Sequence, residues 1–445
     1  MTSTEQGPGR GTAVVIGGGL AGVLAAWALR GFAERIVVVE RDRYPDTPEF
    51  RAGVPQGRHA HLVLEAGQRA LEELMPGINQ ELTAAGAHRV AVSRDLKWLS
   101  SAGWMADYPA RLTFLSCTRP VLDKAVLDRV RTEPSIEFLE GTDVVGLLGS
   151  AQAVTGVKVR ARGPERGEVM DIPAELVVDA AGRSTSVPQW LTELGCRPVP
   201  EERVDAGVAY SSRLFHRPAG ADFGYQALYL QTKAPDKPRM GVLLPVEGDR
   251  WIVSLAGMRG AEPEPGEEGF AKHLAQLRDP GMREALLDAE PAGEVRGFLP
   301  GPGVRRHYAR SAPEGLVVVG DAASTFNPVY GQGVTVSLFC AQALRRTALR
   351  HGGIGHDAAR AARREVSAVS KAAWMMACTE DARFTATTGG PSGALIRFQH
   401  RFMDKVLAGA TRDPLVTAAF HEVLSLVAPP TLLFRPSVLA AVLRG

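Results

Sequence analysis

Three glycines at fixed spacing follow the first apolar run of the sequence, and this pattern can bind phosphate. Gly17, Gly19 and Gly22 match G-x-G-x-x-G directly after the run at 13–16. The first glycine permits a tight turn, the second lets a pyrophosphate approach the backbone, and the third lets a helix pack closely on a strand. The helix start offers unpaired N–H groups and a positive dipole end to an anion. The pattern therefore predicts a dinucleotide site; a glycine-rich turn without a ligand is the alternative.

An acidic residue stands where a dinucleotide site needs one. Glu40 ends a second apolar run at 36–39, and a carboxylate there can bind a ribose diol. The runs at 13–16 and 36–39 lack polar alternation, so each predicts a strand buried on both faces. With the helix between them they predict a βαβ unit.

Two later segments favour FAD over NAD as the dinucleotide. One is 177–184, which contains Asp179 and Gly182, and the other is 315–337, which contains Gly320-Asp321. In the second, a buried strand brings Asp321 to a sheet edge, where its carboxylate can accept a hydrogen bond from a ribityl hydroxyl. A glycine-flanked helix start follows, and the N–H groups of 331–334 can face negative charge that develops on a flavin ring.

Together these motifs resemble the three FAD motifs of the group A flavoprotein monooxygenases, which share the para-hydroxybenzoate hydroxylase fold. The resemblance covers at least residues 12–345, and it extends to arginines at 51 and 119. It implies a Rossmann-like FAD-binding fold with FAD as cofactor. The cofactor-binding residues that it implies are Gly17, Gly19, Leu20, Ala21, Gly22, Glu40, Arg41, Arg51, Arg119, Val144, Asp179, Gly182, Gly320, Asp321, Pro328, Gly331, Gln332, Gly333 and Val334.

Three further sequence segments are similar to one branch of that family. The segments 53–61 (Gly-Val-Pro-Gln-Gly-Arg-His-Ala-His), 86–88 and 326–331 resemble the bacterial flavin epoxidases of polyether antibiotic pathways, and more distantly squalene epoxidase. This resemblance implies epoxidation of an alkene in a polyketide or terpenoid substrate through a C4a-hydroperoxyflavin. NAD(P)H would then be a diffusible co-substrate, since no second G-x-G-x-x-G follows a strand.

Other activities stay open. An aromatic hydroxylase or a geranylgeranyl-type isoprenoid reductase would carry the same glycine motifs. A flavin halogenase is disfavoured because the W-x-W-x-I-P motif is missing. A non-catalytic FAD-binding protein is a further alternative. We see no certain catalytic side chain, and no base that would deprotonate a phenol.

The fold class predicted from these elements is mixed α/β and α+β. After residue 200 the apolar periodicity changes to two, which predicts an antiparallel sheet with one covered face. We predict a discontinuous FAD-binding domain at 1–200 and 296–350, an interleaved β-rich substrate domain at 201–295, and a helical C-terminal region at 351–445.

Four residues are predicted to line the substrate pocket: Tyr210, Trp251, Tyr330 and His59. For Tyr210 and Trp251 a place in the core is the alternative, and for His59 a hydrogen-bonding role in the loop, but a large apolar substrate needs apolar and aromatic walls. His59 and His61 share no helical face and have no visible third ligand, so no metal is predicted.

The composition and charge of the chain argue against some classes of binding partner. The 445 residues are 45% hydrophobic, with a formal net charge of +2, and the mean hydropathy is −0.05. This predicts a globular protein without a nucleic-acid partner. No apolar run reaches the roughly 18 residues that span a bilayer, so membrane contact is not expected. The four cysteines form no C-x-x-C pair and no secretory signal is visible, so we expect a cytoplasmic location. Neither the substrate's identity nor the oligomeric state is predicted.

Overall fold

The structure is a computed structural model that describes residues 11–109, 111–163 and 167–444. Over these residues the chain forms strands at β1 Thr12–Ile16, β2 Arg35–Glu40, β3 Leu62–Val63, β4 His88–Ala91, β5 Leu96–Leu99, β6 Thr113–Ser116, β7 Ile136–Glu140, β8 Thr142–Gly149, β9 Val154–Ala161, β10 Met170–Pro173, β11 Leu176–Asp179, β12 Glu201–Val204, β13 Ala209–His216, β14 Ala227–Leu230, β15 Arg239–Val246, β16 Arg250–Gly257, β17 Arg296–Phe298, β18 Gly303–Arg306, β19 Leu316–Val318 and β20 Ser324–Thr325. The helices are α1 Leu20–Leu29, α2 Glu65–Leu74, α3 Ile78–Ala84, α4 Arg119–Arg131, α5 Val187–Glu193, α6 Gly266–Ala275, α7 Gly281–Ala285, α8 Tyr308–Ser311, α9 Gly333–His351, α10 His356–Asp381, α11 Ala394–Ala410, α12 Pro414–Leu424 and α13 Pro436–Arg444.

A five-stranded parallel sheet combines four strands from the first 180 residues with β19. Its strand order is β19-β11-β1-β2-β7, and Val14 of β1 pairs with Val177 on one side and Val37 on the other. The sheet is apolar on both faces because helices cover it, and α1 packs against α9. This confirms the strands predicted from the unbroken apolar runs at 13–16 and 36–39.

A six-stranded sheet carries the predicted period-two strands, in the order β17-β13-β16-β15-β14-β5. Its pairs are antiparallel except for β14 with β5. The predicted mixed fold class is confirmed. The expectation of one covered face is wrong, because β16 is buried at every position from Trp251 to Gly257. Strands β5 and β17 come from outside the range 201–295.

Three smaller sheets complete the β structure of the described chain: β10-β9-β8, β12-β18-β20 and β3-β6-β4. The last of these sheets is formed within residues 62–116, which lie between the loop at 53–61 and helix α4.

The C-terminal helices pack on both halves of the molecule. Helix α10 packs along α9, while α11, α12 and α13 bury a separate apolar cluster between them. This cluster joins the six-stranded sheet where His421 of α12 stacks on Trp98 of β5, with ring centroids 5.4 Å apart. None of the described helices combines the length and hydropathy needed to cross a bilayer.

Candidate functional site

The predicted cofactor motifs meet at one edge of the parallel sheet. Because β1, β2, β11 and β19 run parallel and adjacent, the segments after Ile16, Val39, Asp179 and Val318 emerge side by side. Backbone bonds tie these segments together: Gly17 N donates to the carbonyl of Val39 at 2.9 Å, and Ala180 N donates to that of Ile16 at 2.9 Å. Ligands of open α/β sheets bind outside the carboxyl ends of the strands.

Each glycine of the first motif has a different constraint. Gly17 has a φ of 92°, in the left-handed region that favours glycine. A Cβ on Gly22 would lie 1.8 Å from the Gly17 carbonyl oxygen, so only glycine lets α1 approach the turn. A Cβ on Gly19 would meet nothing within 4 Å. Of the three, Gly19 is therefore the one that faces open space, as a pyrophosphate-binding turn requires.

Glu40 and Arg51 flank this turn. The Glu40 carboxylate accepts from Gly18 N at 2.6 Å and from Asp42 N at 2.8 Å. Arg51 Nη2 donates to the Gly18 carbonyl at 3.1 Å. Arg51 Nη1 is buried without a hydrogen-bond partner and lies 3.6 Å from Glu40 Oε2. An unpartnered guanidinium nitrogen beside an open glycine turn fits an anionic group such as the FAD pyrophosphate.

A cleft opens between the glycine turn, the loop at 44–57 and the start of α4. Its lining includes Gly18, Tyr44, Arg51, Gly57 and Arg119. Arg119 is the first residue of α4, and its Nε donates to Asp123 Oδ1 at 2.6 Å. The cleft is thus lined by one arginine from the loop and one from the start of α4.

The two aspartates predicted to bind the cofactor lie in different surroundings. Asp179 is fully buried, and its oxygens accept from Ala181 N at 3.0 Å and Thr185 Oγ1 at 2.6 Å. Burial raises the pKa of Asp179 to about 6. Asp179 therefore holds the turn at 180–185, which contains Gly182, and would act on a cofactor only through that turn.

Asp321 is more open and lies near two cations. Burial raises the pKa of its carboxyl, whereas Arg119 and Arg183 oppose the rise. Gly320, which precedes it, has a φ of 57°, and a Cβ there would lie 2.9 Å from Cβ of Ala21. The third motif is thereby packed against α1.

Helix α9 begins as the flavin resemblance predicts. A 3-10 turn at Pro328–Tyr330 leads through Gly331, with a φ of 66°, to the N-cap Gln332. Val336 N is the first to bond back, to the Gln332 carbonyl at 2.9 Å, so the N–H groups of 333–335 precede the helix ladder. A Cβ on Gly333 would meet nothing within 4 Å, and Oε1 of the fully buried Gln332 has no partner. An electronegative ring edge fits this opening.

The remaining predicted cofactor residues line the same edge or support it. Leu20 and Ala21 form the first turn of α1, and Val334 is buried in the first turn of α9. Arg41 directly follows β2 and is exposed. Val144 lies on β8 just before a break in its pairing with β9. Their contacts with a cofactor stay predictions.

His59 lies in a buried polar chain on the six-stranded sheet. Its Nδ1 is 2.7 Å from Ser212 Oγ, which is 2.6 Å from Ser254 Oγ. Ala60 N donates to Ser254 Oγ at 2.9 Å. Burial lowers the pKa of His59 to about 3 and that of His61 to about 4, so both rings are neutral at pH 7.

A second buried chain links Tyr210 to Tyr330. Tyr210 OH donates to Asn327 Oδ1 at 3.3 Å, and Asn327 Nδ2 donates to Asp381 Oδ1 at 2.8 Å. Tyr330 OH donates to the same oxygen of Asp381 at 2.9 Å. The ring of His59 lies 5.9 Å from that of Tyr210. Three predicted pocket residues, His59, Tyr210 and Tyr330, are thus brought together.

Trp251, the fourth residue predicted to line the pocket, lies apart from these three. Along β16, Ser254 and Trp251 point to opposite faces because side chains alternate. Trp251 packs with Phe215 and with Phe270 of α6 in the core on the other face. It is 3% exposed, so the structure does not bring it together with His59, Tyr210 and Tyr330.

Several residues beside the predicted pocket residues were not anticipated from the sequence. Ser212, Ser254 and Phe298 lie on strands, and the Phe298 ring packs beside that of His59, with centroids 5.1 Å apart and the planes tilted by 32°. Asp381 lies at the end of a 26-residue helix. The alternation of β13 and β16 carried a signal for the serines, but no local pattern marks Asp381. Among the described residues no group of three His, Cys, Asp or Glu is arranged to hold a metal.

Comparison with known proteins identifies the family. Residues 10–347 match the family described as FAD binding domain, and this chain belongs to it. The cofactor that the motifs at the sheet edge are built to hold is therefore FAD, as the resemblance implied. The residues present fit it: an open turn at Gly19, an unpartnered Arg51 nitrogen and an open helix start at Gly333.

Whole-chain relatives are also found. The chain is 31% identical to Protein Rv3254 of Mycobacterium tuberculosis, over 93% of this chain and 89% of that protein. It is 24% identical to squalene monooxygenase of Mus musculus, over 73% of this chain and 52% of the mouse enzyme. It is 25% identical to 6-methylpretetramide 4-monooxygenase of Streptomyces rimosus, over 76% of each.

The fold is shared with solved flavoproteins. The flavin-dependent brominase Bmp2 has a TM-score of 0.67 at 14% identity, with 93% of this chain and 92% of that chain covered. At this identity the likeness is one of fold.

Proposed function

We propose that this protein is an FAD-dependent monooxygenase that inserts one atom of O₂ into an apolar small molecule, by epoxidation of an alkene in a natural-product chain of the polyketide, polyether or terpenoid type. One observation carries the proposal. The segments 53–61 and 326–331, which resemble the polyether-pathway epoxidases, meet on Tyr210: His59 contacts its ring and Asn327 accepts from its hydroxyl. The likeness to squalene monooxygenase, whose name denotes oxygenation of a polyene, supports it.

The chain's residues divide into two groups by task. A bound FAD that is reduced by NAD(P)H would supply the activation of O₂. The glycine turn, Arg51 and Asp321 would hold it, and the N–H groups at the start of α9 would stabilise negative charge on the ring edge. The second group, Tyr210 and Phe298, would exclude water from the reacting centre.

The electrostatics around the predicted pocket residues suit an apolar substrate. His59 and His61 are neutral at pH 7 because burial lowers their pKa. The hydroxyls of Ser212 and Ser254 are bonded to each other and to His59. A pocket whose polar groups bind one another leaves apolar surface for an alkene, which needs no ionisation before oxygen transfer.

The test is oxygen labelling. The purified FAD-loaded protein is incubated with NADPH or NADH, ¹⁸O₂ and a panel of polyenes, and the products are analysed by mass spectrometry. One ¹⁸O per epoxide with matching NAD(P)H oxidation is expected. A saturated product formed without O₂ would instead identify an isoprenoid reductase, and failure to use any alkene would refute epoxidation.

Aromatic hydroxylation is the second candidate, and one contact favours it. Tyr330 OH donates to Asp381 Oδ1 at 2.9 Å, so its oxygen is free to accept from a phenol O–H while Asp381 takes up the transferred proton. This pair could serve as the base for which the sequence offered no candidate. The likeness to 6-methylpretetramide 4-monooxygenase agrees with it. A phenol panel under ¹⁸O₂ separates the candidates: at saturating FAD, Tyr330→Phe should slow phenol hydroxylation more than it slows alkene epoxidation.

A further inference from the structure

Asp381 is a buried carboxylate at the C-terminal end of α10 whose side chain binds the loop before α9. It is 4% exposed. Its Oδ1 accepts from Asn327 Nδ2 at 2.8 Å and from Tyr330 OH at 2.9 Å. Both donors belong to the segment 327–331, which leads into the helix start assigned to the flavin. A single oxygen of a distant helix therefore holds this segment at two points.

The same contact sets the orientation of the Asn327 amide. With Nδ2 turned to Asp381, Oδ1 faces the other way, where it accepts from Val329 N at 3.1 Å and from Tyr210 OH at 3.3 Å. The first of these bonds caps the 3-10 turn at Pro328–Tyr330. That turn passes through Gly331 to the free N–H groups at 333–335. The geometry at the start of α9 thus depends on the hydrogen bonds that Asp381 accepts.

We infer that Asp381 is a positioning residue for the flavin: in its ionised form it holds the 327–331 segment against α9, and its protonation loosens that segment and weakens FAD binding. The inference rests on the FAD site and goes beyond the proposed reaction. It requires no contact between Asp381 and the cofactor, since the effect passes through Asn327 and Tyr330.

The surroundings of Asp381 place its titration near neutral pH. Glu380 and Cys378 lie on its own helix, Tyr330 faces it from the loop, and Tyr210 lies behind Asn327 on β13. Glu380 is paired with Arg383 at 2.8 Å. Burial raises the pKa of Asp381 to about 6, and the bonds from Asn327 and Tyr330 oppose the rise.

The ionisation of Asp381 determines how FAD affinity changes with pH. Above pH 6 the carboxylate is ionised, and hydrogen bonds to an ionised acceptor are roughly twice as strong as neutral ones. Below pH 6 the neutral acid holds the segment less tightly. FAD affinity should therefore fall as the pH drops through 6, and FAD binding near pH 6 should release protons.

The first experiment measures the Kd of the apoprotein for FAD from pH 5 to 8, with Asp381→Asn as variant and Glu380→Gln as matched control. Wild type should bind FAD about tenfold more weakly at pH 5 than at pH 8, the size expected from losing charge assistance on two bonds. Asp381→Asn should bind at all pH values about as wild type does at pH 5. Glu380→Gln should keep the pH dependence, with its inflection moved to lower pH because a like charge has been removed.

A second variant keeps the inference testable if Asp381→Asn does not fold. Tyr330→Phe removes one donor, so the inflection should move to higher pH and the affinity at pH 8 should fall a few-fold. Proton release is measured by calorimetry in two buffers of different ionisation enthalpy. Wild-type affinity and pH dependence in both Asp381→Asn and Tyr330→Phe would overturn the inference while leaving the cofactor in place. Lack of FAD binding by wild type at pH 8 would overturn the cofactor site and this inference together.

Discussion

The imidazole Nδ1 of His59 lies 2.7 Å from the hydroxyl oxygen of Ser212, although 153 positions of sequence separate them. The bond joins the loop at 53–61, which borders the FAD cleft, to strand β13, which lies between β17 and β16 in the six-stranded sheet. It also keeps a buried, neutral ring nitrogen satisfied, which a buried polar group requires.

Ser212→Ala should lower the free energy of unfolding by about 1–3 kcal/mol, because it leaves His59 Nδ1 and Ser254 without their shared partner. Ser211 is the matched control. It neighbours Ser212 on the opposite face of β13, and its buried hydroxyl has no partner, so Ser211→Ala should be neutral or stabilising. Urea unfolding measures both. Equal effects would show that the His59–Ser212 bond contributes nothing.

Gly19→Val should abolish FAD binding without harming the fold. Gly19 has a φ of −71° and a ψ of 177°, which valine tolerates, and its Cβ would meet no atom of the chain. Gly355 is a second N-cap glycine, with a φ of −64° and a ψ of −176°, so Gly355→Val is the control. Both apoproteins should unfold alike, while FAD titration separates them. A Gly19→Val protein that is fully loaded with FAD would disprove the placement of the pyrophosphate.

Asp321→Asn should weaken FAD binding by about 1.5–3 kcal/mol, the contribution of a hydrogen bond to a charged group. The apoprotein should lose no stability, because burial already disfavours the Asp321 charge. Asp171, an exposed carboxylate on β10 that lies 3.5 Å from Lys158, gives the control Asp171→Asn. Fluorescence titration with FAD measures both. Unchanged affinity in Asp321→Asn would remove this residue from the site.

Asp179→Asn should change how stability depends on pH. The folded state raises the pKa of Asp179 to about 6 from an ordinary value of 3.8, so between these values the folded protein holds a proton that the unfolded chain has lost. Its contribution to the free energy of unfolding therefore falls as pH rises from about 4 to 6, by at most ~1.4 kcal/mol per pH unit. The difference between variant and wild type, from urea unfolding at pH 4 to 7, should show this slope. A constant difference would contradict it.

Trp251→Phe should affect the stability of the fold, whereas Phe298→Ala should affect the release of peroxide. Trp251 is core on the face covered by α6, so Trp251→Phe should lower stability by about 1–3 kcal/mol and leave the peroxide released per NAD(P)H unchanged. Phe298 lies beside His59 on the other face, so Phe298→Ala should admit water and raise peroxide release. A peroxide assay and thermal unfolding of each variant suffice. Uncoupling in Trp251→Phe would instead support its predicted place in the pocket.

The features that the sequence predicted best are those determined by residues close together in the chain. The apolar run at 13–16 predicted β1 because a strand covered on both faces has no polar alternation. Gly17 and Gly22 were assigned from spacing alone, and the crowding around their Cα atoms agrees with those assignments.

The parts that sequence missed depend on pairing between distant segments. Trp251 and Tyr210 each recur at period two, but only the register, with Tyr210 opposite Ala256, shows that they face opposite ways. Strand β5 is four residues long and becomes a strand by pairing with β14. Asp381 matters because its helix ends beside Asn327, which no local pattern encodes.

The strand order of the parallel sheet has a consequence for synthesis. β11 pairs with β1 on one side and with β19 on the other, but the chain from residue 180 to residue 315 separates β11 from β19. At typical translation rates, the β11 edge would wait on the order of ten seconds for its partner. Through that interval an apolar strand presents open backbone groups, which invite pairing with other nascent chains. Crowding on polysomes and the supply of chaperones should therefore govern the yield of folded protein.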